Sequence, residues 1–388
     1  MRQILFSYAF RPFFLLLGAF AVLIVAAWGL HLNGGLAWPA TLPVAIRHGH
    51  EMIFGFGGAA IAGFLLTAVA TWTGRPAVAG GRLILLSAAW VLARIGAFWP
   101  GEWGAGLWAS ASLLFWAGLL RLVSREVLSA ENTRNYKVLA MLAAFLITES
   151  LFFLSAFQLI GEMAIALRMG LCLVIGMILL IGGRIIPNFT QNWLRLNRPN
   201  RTGGLPPFTH WDAAANAAFI AFACAFALWP YAMETAVAAL VAAALLTVRL
   251  IRWRGWLAWR EPLLWVLHVG FAWIPAGLAL LGFAVLRDKP GLWNSGLHAL
   301  GYGAIGTLVM GIAARAALGH TGRPLKAFPS MTAAFVMLTV GAALRVISAR
   351  GDLVMNLSVV LWIGAYLLFL ACYAPILVRP RIDSRRAG

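Results

Sequence analysis

The chain consists of long apolar runs separated by short polar gaps. A membrane-spanning helix requires about 20 predominantly apolar residues, and twelve runs meet this requirement. The pattern therefore predicts an all-α, polytopic membrane protein of about twelve transmembrane helices. The predicted spans are 13–32, 50–71, 83–99, 104–123, 137–159, 165–187, 212–229, 232–250, 262–286, 295–317, 328–348 and 354–377.

Positive charges are concentrated in the gaps that follow even-numbered spans. Because cytoplasmic loops carry an excess of Lys and Arg, these gaps and both termini are predicted to be cytoplasmic. Arg47, Arg287 and Arg350 are exceptions on the opposite side. The residues that indicate this orientation are Arg75, Arg82, Arg125, Arg134, Lys137, Arg195, Arg198, Arg201, Arg252, Arg254, Arg260, Arg323, Lys326, Arg379, Arg381, Arg385 and Arg386.

The composition agrees with a location in the lipid bilayer. Of the 388 residues, 62% are hydrophobic and 11% are charged, whereas about a quarter of a soluble domain is charged. Much of the surface must therefore face lipid. The net charge of +18 is spread among the gaps instead of forming one basic patch, which argues against binding to nucleic acid.

Two segments of the chain are related to each other. When residues 50–76 are aligned with residues 298–324, His50 falls on His298 and both segments end with Thr-Gly-Arg-Pro. Chance alignment of glycine-rich helices does not readily produce four consecutive identities together with a coincident histidine. We therefore predict that spans 1–2 are repeated in spans 9–10.

The chain is predicted to form one integral membrane domain over residues 1–388. Four-helix repeats near 1–130, 131–255 and 256–388 are a further expectation. A third copy of the repeated segment is hinted at only by the Gly-Arg-Ile-Ile-Pro sequence at 183–187.

The histidines at matching positions of the repeat, His50 and His298, are candidate metal ligands. Two neutral imidazoles at equal depth on related helices suit bis-axial ligation of a haem iron. The glycines that follow each histidine allow close approach of another helix or of a flat macrocycle. The alternative is two interfacial histidines hydrogen-bonded to water or to helix ends. The sequence contains no CxxCH motif, so the haem would be bound non-covalently, as haem b.

A short polar motif at the start of span 2 places His48 and Glu51 next to His50. Residues i and i+2 do not share a helix face, so His48 should contact a different partner from His50. His48 either binds a second centre or is a loop histidine. Glu51 either orients a ligating imidazole or caps the start of the helix.

His268 lies among aliphatic residues inside span 9, where an imidazole requires a cofactor or a buried hydrogen-bond partner. His320 follows span 10, too far along that helix from His298 to share a metal with it. His31 and His210 are interpreted as solvated. Arginines in the spans bind haem propionates or extend to the interface. These arginines are Arg94, Arg168, Arg184, Arg315 and Arg345.

Few carboxylates lie within the spans, chiefly Glu51 and Glu149. This scarcity argues against a proton-coupled carrier with a relay of carboxylates.

Several longer motifs resemble the NnrS family. They run from the first span through span 11, and nothing diagnostic lies in the last span. The motifs are Phe10-Arg11-Pro12-Phe13-Phe14, His48-x-His50-Glu51-Met52-x-Phe54-Gly55, Ala62-Gly63-Phe64-Leu65-Leu66-Thr67-Ala68, Trp72-Thr73-Gly74-Arg75-Pro76, Gly182-Gly183-Arg184-Ile185-Ile186-Pro187, Arg260-Glu261-Pro262-Leu263-Leu264-Trp265-x-x-His268 and Gly319-His320-Thr321-Gly322-Arg323-Pro324.

The resemblance implies a bacterial inner-membrane protein that contains haem, in one or two copies, and copper. It further implies a role in nitric oxide metabolism and resistance to nitrosative stress. The layout is also similar to the main subunit of haem-copper oxidases and nitric oxide reductases, where histidines on spans 2 and 10 hold the low-spin haem. This sequence departs from that pattern, because no histidine pair follows span 7 and span 6 has no histidine. Fold similarity alone does not establish catalysis.

Our leading hypothesis is a haem-binding oxidoreductase of the inner membrane that reduces nitric oxide with electrons from quinol. The alternatives are a non-catalytic, haem-based sensor or buffer of nitric oxide, and a metal-handling or transport protein, since internal repeats are also common in carriers.

Two metal centres are predicted, one near each face of the membrane, from the histidines that the resemblance singles out. His268 is the candidate catalytic residue, because a haem with an open coordination position at the inner centre would bind nitric oxide. The ligands are predicted to be His48, His50 and His298 for the outer centre and His268 and His320 for the inner centre, with Glu51, Arg184 and Arg315 supporting them.

Overall fold

A computed structural model of the protein describes residues 2–36, 42–197, 204–348 and 353–382. All regular secondary structure of these residues is helical, and twelve helices are long and apolar enough to cross a membrane. The prediction of an all-α, polytopic membrane protein is therefore confirmed. The spans are Phe10–Leu32, Val44–Thr73, Gly81–Phe98, Gly101–Ser129, Thr133–Ala156, Met163–Asn197, His210–Leu228, Met233–Arg252, Pro262–Leu286, Pro290–His320, Pro329–Ile347 and Leu353–Leu377.

Two spans extend well beyond their predicted ends. Span 2 begins at Val44, so His48 and His50 lie inside the helix. The loop alternative for His48 is therefore wrong. Span 6 continues through Pro187 to Asn197, although a proline removes one helical hydrogen bond. Hydropathy did not predict these extensions, because it detects only runs of apolar side chains. The backbone hydrogen bonds of a helix can continue into polar residues beyond such a run.

The chain divides into two compact units. The first contains residues 1–173, 315–324 and 369–388, and the second contains residues 174–314 and 325–368. Spans 1 to 5 lie wholly in the first unit, and spans 7, 8, 9 and 11 lie wholly in the second. The single domain of four-helix repeats stays a prediction.

Aromatic side chains fill the interior of the first unit. Trp116 of span 4 and Phe145 of span 5 are fully buried and stack with their ring centroids 4.6 Å apart. Large aliphatic side chains such as Leu85 and Leu114 are instead exposed. Lipid tails are as apolar as leucine, so these exposed side chains are expected to face the bilayer.

Both copies of the predicted repeat contain the same unusual helical segment. Directly after His50, span 2 changes to a π-helix over Glu51–Phe56. Directly after His298, span 10 does the same over Ala299–Gly306. π-helical segments are rare and occur frequently at functional sites, so their presence at aligned positions supports the repeat.

The Thr-Gly-Arg-Pro sequence acts as a stop signal for both repeated helices. Gly74 and Gly322 have φ angles of 68° and 72°, a left-handed conformation that glycine adopts readily and that commonly ends a helix. Pro76 and Pro324 follow two residues later and cannot continue a helix. The shared motif therefore has a local structural role in each copy.

Glycines in the π-helical segments allow bulky neighbours to approach the backbone. A Cβ atom at Gly55 would meet the Arg94 guanidinium and the Phe20 ring, and one at Gly303 would overlap the Trp273 ring. Of the two uses expected for these glycines, the structure shows the close approach of neighbouring helices.

The predicted orientation of the spans yields the first testable prediction. Cysteines placed beside Arg75, Arg254 and Lys326, in a background without the three native cysteines, should resist a membrane-impermeant thiol reagent in intact cells. Positive charge is expected to keep these gaps in the cytoplasm. The gap containing Arg198 belongs to the same prediction but lies outside the described residues.

Permeabilised cells provide the control, because all of the introduced cysteines should then react. Ready labelling of two or more of them in intact cells would reverse the predicted orientation.

Candidate functional site

His50 is fully buried in the first unit between two carboxylates. Its Nδ1 atom lies 2.9 Å from Glu51 Oε1, and its Nε2 atom lies 3.1 Å from Glu149 Oε2. A neutral imidazole carries one N–H, whereas two hydrogen bonds to ionised carboxylates require two. The group of His50, Glu51 and Glu149 therefore holds one proton more than a neutral histidine and two carboxylates would carry.

Glu51 connects His50 to two further spans. Its Oε2 atom lies 2.8 Å from Nε of Arg94 on span 3, and its Oε1 atom accepts a hydrogen bond of 3.0 Å from the indole of Trp108 on span 4. Span 2 begins before Glu51, so this residue does not cap the helix. Of the two alternatives for Glu51, orientation of the imidazole is the one that the hydrogen bonds support.

Two buried arginines also belong to this group. Arg94 is 7% exposed and also donates to Ser112 Oγ at 3.2 Å, while Arg47 is 1% exposed, donates to the carbonyl of Ala97 and lies over the Trp108 ring. We call the group of His50, Glu51, Glu149, Arg94 and Arg47 the charged cluster. Buried charges are costly unless they are paired, and each carboxylate of this group lies beside a donor: Glu51 beside His50 and Arg94, and Glu149 beside His50.

Aromatic rings surround the charged cluster. The centroids of Phe152 and Trp108 lie 4.3 and 4.7 Å from that of His50, and Phe54 and Phe153 complete the enclosure. These rings exclude water, which strengthens electrostatic interactions inside.

An apolar cleft of about 750 Å³ between spans 1 and 3 reaches the charged cluster at Arg94. Leu16, Phe20 and Leu23 line one side, and Trp90 and Arg94 lie on the other. A small uncharged molecule dissolved among lipid tails could approach Arg94 by this route.

His298 occupies the repeat position of His50 but has different partners. In the second unit its Nδ1 atom lies 2.9 Å from the carbonyl oxygen of Asn294, and its Nε2 atom lies 3.0 Å from Nη2 of Arg345. A guanidinium can only donate, so Nε2 accepts, Nδ1–H donates and the ring is neutral. Of the two aligned histidines, His50 is therefore hydrogen-bonded to carboxylates and His298 to a guanidinium.

The predicted pairing of His50 with His298 on one haem is not tested by these contacts, because the two residues belong to different units. Both nitrogens of each ring are engaged in hydrogen bonds in the structure. Ligation of iron by either residue would therefore require release of one of these hydrogen bonds.

His268 offers a nitrogen atom that is not engaged. Its Nε2 atom lies 2.9 Å from Thr190 Oγ1, whose own proton is donated to the carbonyl of Ile186 at 3.0 Å. His268 must therefore donate through Nε2–H, which leaves a lone pair on Nδ1. That atom is buried and has no hydrogen-bond partner among the described residues. Gly255 packs against the ring, and a side chain at this position would cover Nδ1.

The remaining predicted ligands stack on aromatic rings. His48 stacks on Trp28 of span 1 with centroids 4.4 Å apart, so it contacts a different element from His50. His320 stacks on Phe10 and Tyr8. Among the described residues, no group of three or more His, Cys, Asp or Glu side chains is arranged to hold a metal ion.

The supporting role predicted for Arg184 and Arg315 stays a prediction. Arg184 and Arg315 are half-buried within spans 6 and 10, and His210 is exposed beside Trp211. The inner centre of His268 and His320 stays a prediction, because these histidines belong to different units.

Sequence reasoning did not identify Glu149, Arg94 or Arg47 as members of one site. From the sequence alone, Glu149 is one of the few carboxylates within the spans, and Arg47 is an exception in the charge pattern. The available signal was their position, because an ionisable group inside a span is functional by default.

Removal of the Glu149 carboxylate is the second prediction. Glu149→Ala should destabilise the protein by about 3–5 kcal/mol, because breaking a buried charge pair leaves its partner uncompensated. Thermal unfolding followed by tryptophan fluorescence would measure the loss. Glu149→Gln should cost less, since an amide oxygen still accepts from His50.

Glu102→Ala is the matched control, because Glu102 is exposed and should leave the unfolding temperature unchanged. Equal effects of Glu149→Ala and Glu102→Ala would contradict the description of Glu149 as a paired, buried carboxylate.

Comparison with known families agrees with the motifs. A family model described as NnrS protein matches residues 4–381. No curated protein matches the chain. Since the match covers nearly the whole chain, the protein belongs to the NnrS family.

Proposed function

We propose that this NnrS-family membrane protein acts in nitric oxide metabolism as a haem-binding oxidoreductase and that His268 holds the haem iron. The free lone pair of His268 Nδ1 is the feature that supports this role. A neutral imidazole binds iron through an unprotonated nitrogen, and the hydrogen bonds of His268 leave it such an atom. The NnrS resemblance supplies the link to haem and nitric oxide.

The chain's own residues prepare His268 for ligation. Thr190 accepts the Nε2–H hydrogen bond and thereby fixes both the tautomer and the orientation of the ring. Ligating histidines almost always donate their second N–H in this way, and loss of the acceptor weakens metal binding. A haem bound here would supply an iron that changes oxidation state and takes up nitric oxide.

The charged cluster can contribute a proton. Reduction of two nitric oxide molecules to nitrous oxide and water consumes two protons and two electrons, and the hydrogen bonds of His50 hold one proton between Glu51 and Glu149. Quinol in the bilayer is the proposed electron donor. Copper, which the resemblance also implies, remains a prediction without an assigned set of ligands.

A proton-coupled transporter is the second candidate. The sequence argued against a carrier because its intramembrane carboxylates are few, but both of them contact the same buried histidine. Paired ionisable groups within a membrane often mark proton pathways. Transport would require a proton gradient, whereas anaerobic consumption of nitric oxide by detergent-solubilised protein would not.

Replacement of His268 is the third prediction. Purified wild-type protein should show a Soret band and consume nitric oxide anaerobically with a quinol donor. His268→Ala should remove the ligand-accessible haem signal and lower consumption at least about tenfold, and Thr190→Val should weaken haem retention about 10–100-fold through loss of the oriented N–H.

His210→Ala is the matched control, because His210 is exposed and should change neither signal. A Soret band in the wild type that His268→Ala leaves intact would end the assignment of His268. A wild type that binds haem and nitric oxide without consuming it would identify a sensor or buffer.

The outer centre gives the fourth prediction. His50→Leu and His298→Leu should each abolish a low-spin haem signal while the protein still inserts, because a six-coordinate iron needs both imidazoles. Electron paramagnetic resonance and the optical spectrum would report the change. A low-spin spectrum retained in both single variants would show that these histidines serve only the hydrogen bonds described above.

A further inference from the structure

We propose that Arg11, Arg323 and Arg379 form a binding site for the phosphate headgroup of an anionic phospholipid. The three arginines lie at the ends of spans 1, 10 and 12, all within the first unit. We call them the arginine site. It is separate from the charged cluster and does not depend on the proposed function.

The buried member of the site is Arg11, which is 4% exposed. One of its nitrogens, Nη1, donates to the carbonyl oxygens of Leu377 and Arg379 at 2.7 Å each. These contacts attach the end of span 12 to the start of span 1. The Nε atom of Arg11 is buried and has no hydrogen-bond partner among the described residues, although a buried donor without an acceptor is costly.

Arg323 and Arg379 bring further positive charge to Arg11. The backbone N–H of Ile382 donates to the Thr321 carbonyl at 3.2 Å, which holds the segment after span 12 beside the segment after span 10. Burial lowers the pKa of the Arg323 guanidinium, and the neighbouring Arg379 lowers it further. Arg323 lies within electrostatic range of Arg11 as well. The positive charges of Arg11, Arg323 and Arg379 therefore lie close to one another.

A compensating carboxylate is lacking from the described part of the chain. None of the ion pairs among the described residues includes Arg11, Arg323 or Arg379. The guanidinium hydrogen bonds of Arg11 and Arg323 go to backbone carbonyl oxygens, which carry no net charge. Within the described ranges, therefore, no carboxylate pairs with these three positive charges.

The internal repeat allows Arg323 to be compared with the equivalent arginine of the other copy. Arg75 occupies the position of Arg323 in the other Thr-Gly-Arg-Pro motif. Its Nε atom lies 2.6 Å from Glu126 Oε2. Equivalent arginines at equivalent helix ends thus differ in one respect: Arg75 pairs with a carboxylate, whereas Arg323 pairs with none of the described carboxylates and has Arg379 as a charged neighbour.

The position of the arginine site indicates which anion would bind. The ends of spans lie at the boundary between hydrocarbon and water, where lipid phosphates are found. Basic pockets between transmembrane helices bind anionic headgroups, and guanidinium groups match phosphate geometry. Phosphatidylglycerol supplies both the phosphate and a net negative charge, whereas phosphatidylcholine is zwitterionic.

The test uses the full-length protein in detergent, titrated with short-chain phosphatidylglycerol or phosphatidylcholine. We expect phosphatidylglycerol to raise the unfolding temperature, because a ligand that binds only the folded state stabilises it, and phosphatidylcholine to have no such effect. Arg323→Gln and Arg379→Gln should each weaken the apparent affinity for phosphatidylglycerol about fivefold, a typical contribution of one basic residue at an anionic surface.

Arg75→Gln is the matched control. It breaks the ion pair with Glu126 and should lower the unfolding temperature equally with either lipid, while its affinity for phosphatidylglycerol stays at the wild-type value. Native mass spectrometry should find phosphatidylglycerol retained by the wild type and by Arg75→Gln, and lost from Arg323→Gln.

Four results would overturn the proposal. Arg323→Gln and Arg379→Gln could both bind phosphatidylglycerol as tightly as the wild type does. Inorganic phosphate alone could give the full stabilisation, which would identify a free anion as the ligand. Haem content could fall in Arg323→Gln, which would identify a haem propionate. Finally, Asp383→Asn, at a residue outside the described ranges, could lower stability as Arg323→Gln does without any response to lipid, which would identify an internal counter-charge.

Discussion

The ion pair between Glu51 and Arg94 is the contact on which the first unit depends most. Water is absent from the hydrocarbon core, so each buried charge must find its partner within the protein. Glu51 satisfies this requirement through Arg94 on span 3, Trp108 on span 4 and His50 on its own span. Since His50 in turn reaches Glu149 on span 5, a single carboxylate fixes the relative positions of four helices.

The two copies of the internal repeat share their backbone conformation but differ in the residues that surround their polar side chains. Both copies retain the π-helix and the left-handed glycine at the helix end. Their histidines, however, have opposite electrostatic surroundings, and so do their terminal arginines. A duplicated helix pair therefore supplies equivalent positions, while the helices packed around it decide what each position can do.

The sequence predicted the number and nature of the spans well, because lipid imposes one strong requirement on twenty consecutive residues. It also located the histidines and the repeat. It could not show that Glu149 contacts His50 across 99 positions or that Thr190 sets the tautomer of His268 across 78. Such contacts depend on how helices pack, and nothing in the local sequence of either partner encodes that packing.

The π-helix also determines which side chains of the following helix face the neighbouring span. Each such segment accommodates a residue more than an α-helix of the same length, and one residue turns the following side chains by about 100°. In span 2 this rotation directs Gly63 towards Phe13 and Phe14, and Thr67 towards the backbone of Phe10. Loss of the extra residue would turn that face away from span 1. In each copy the π-helix therefore sets the direction of the side chains that follow relative to the aligned histidine.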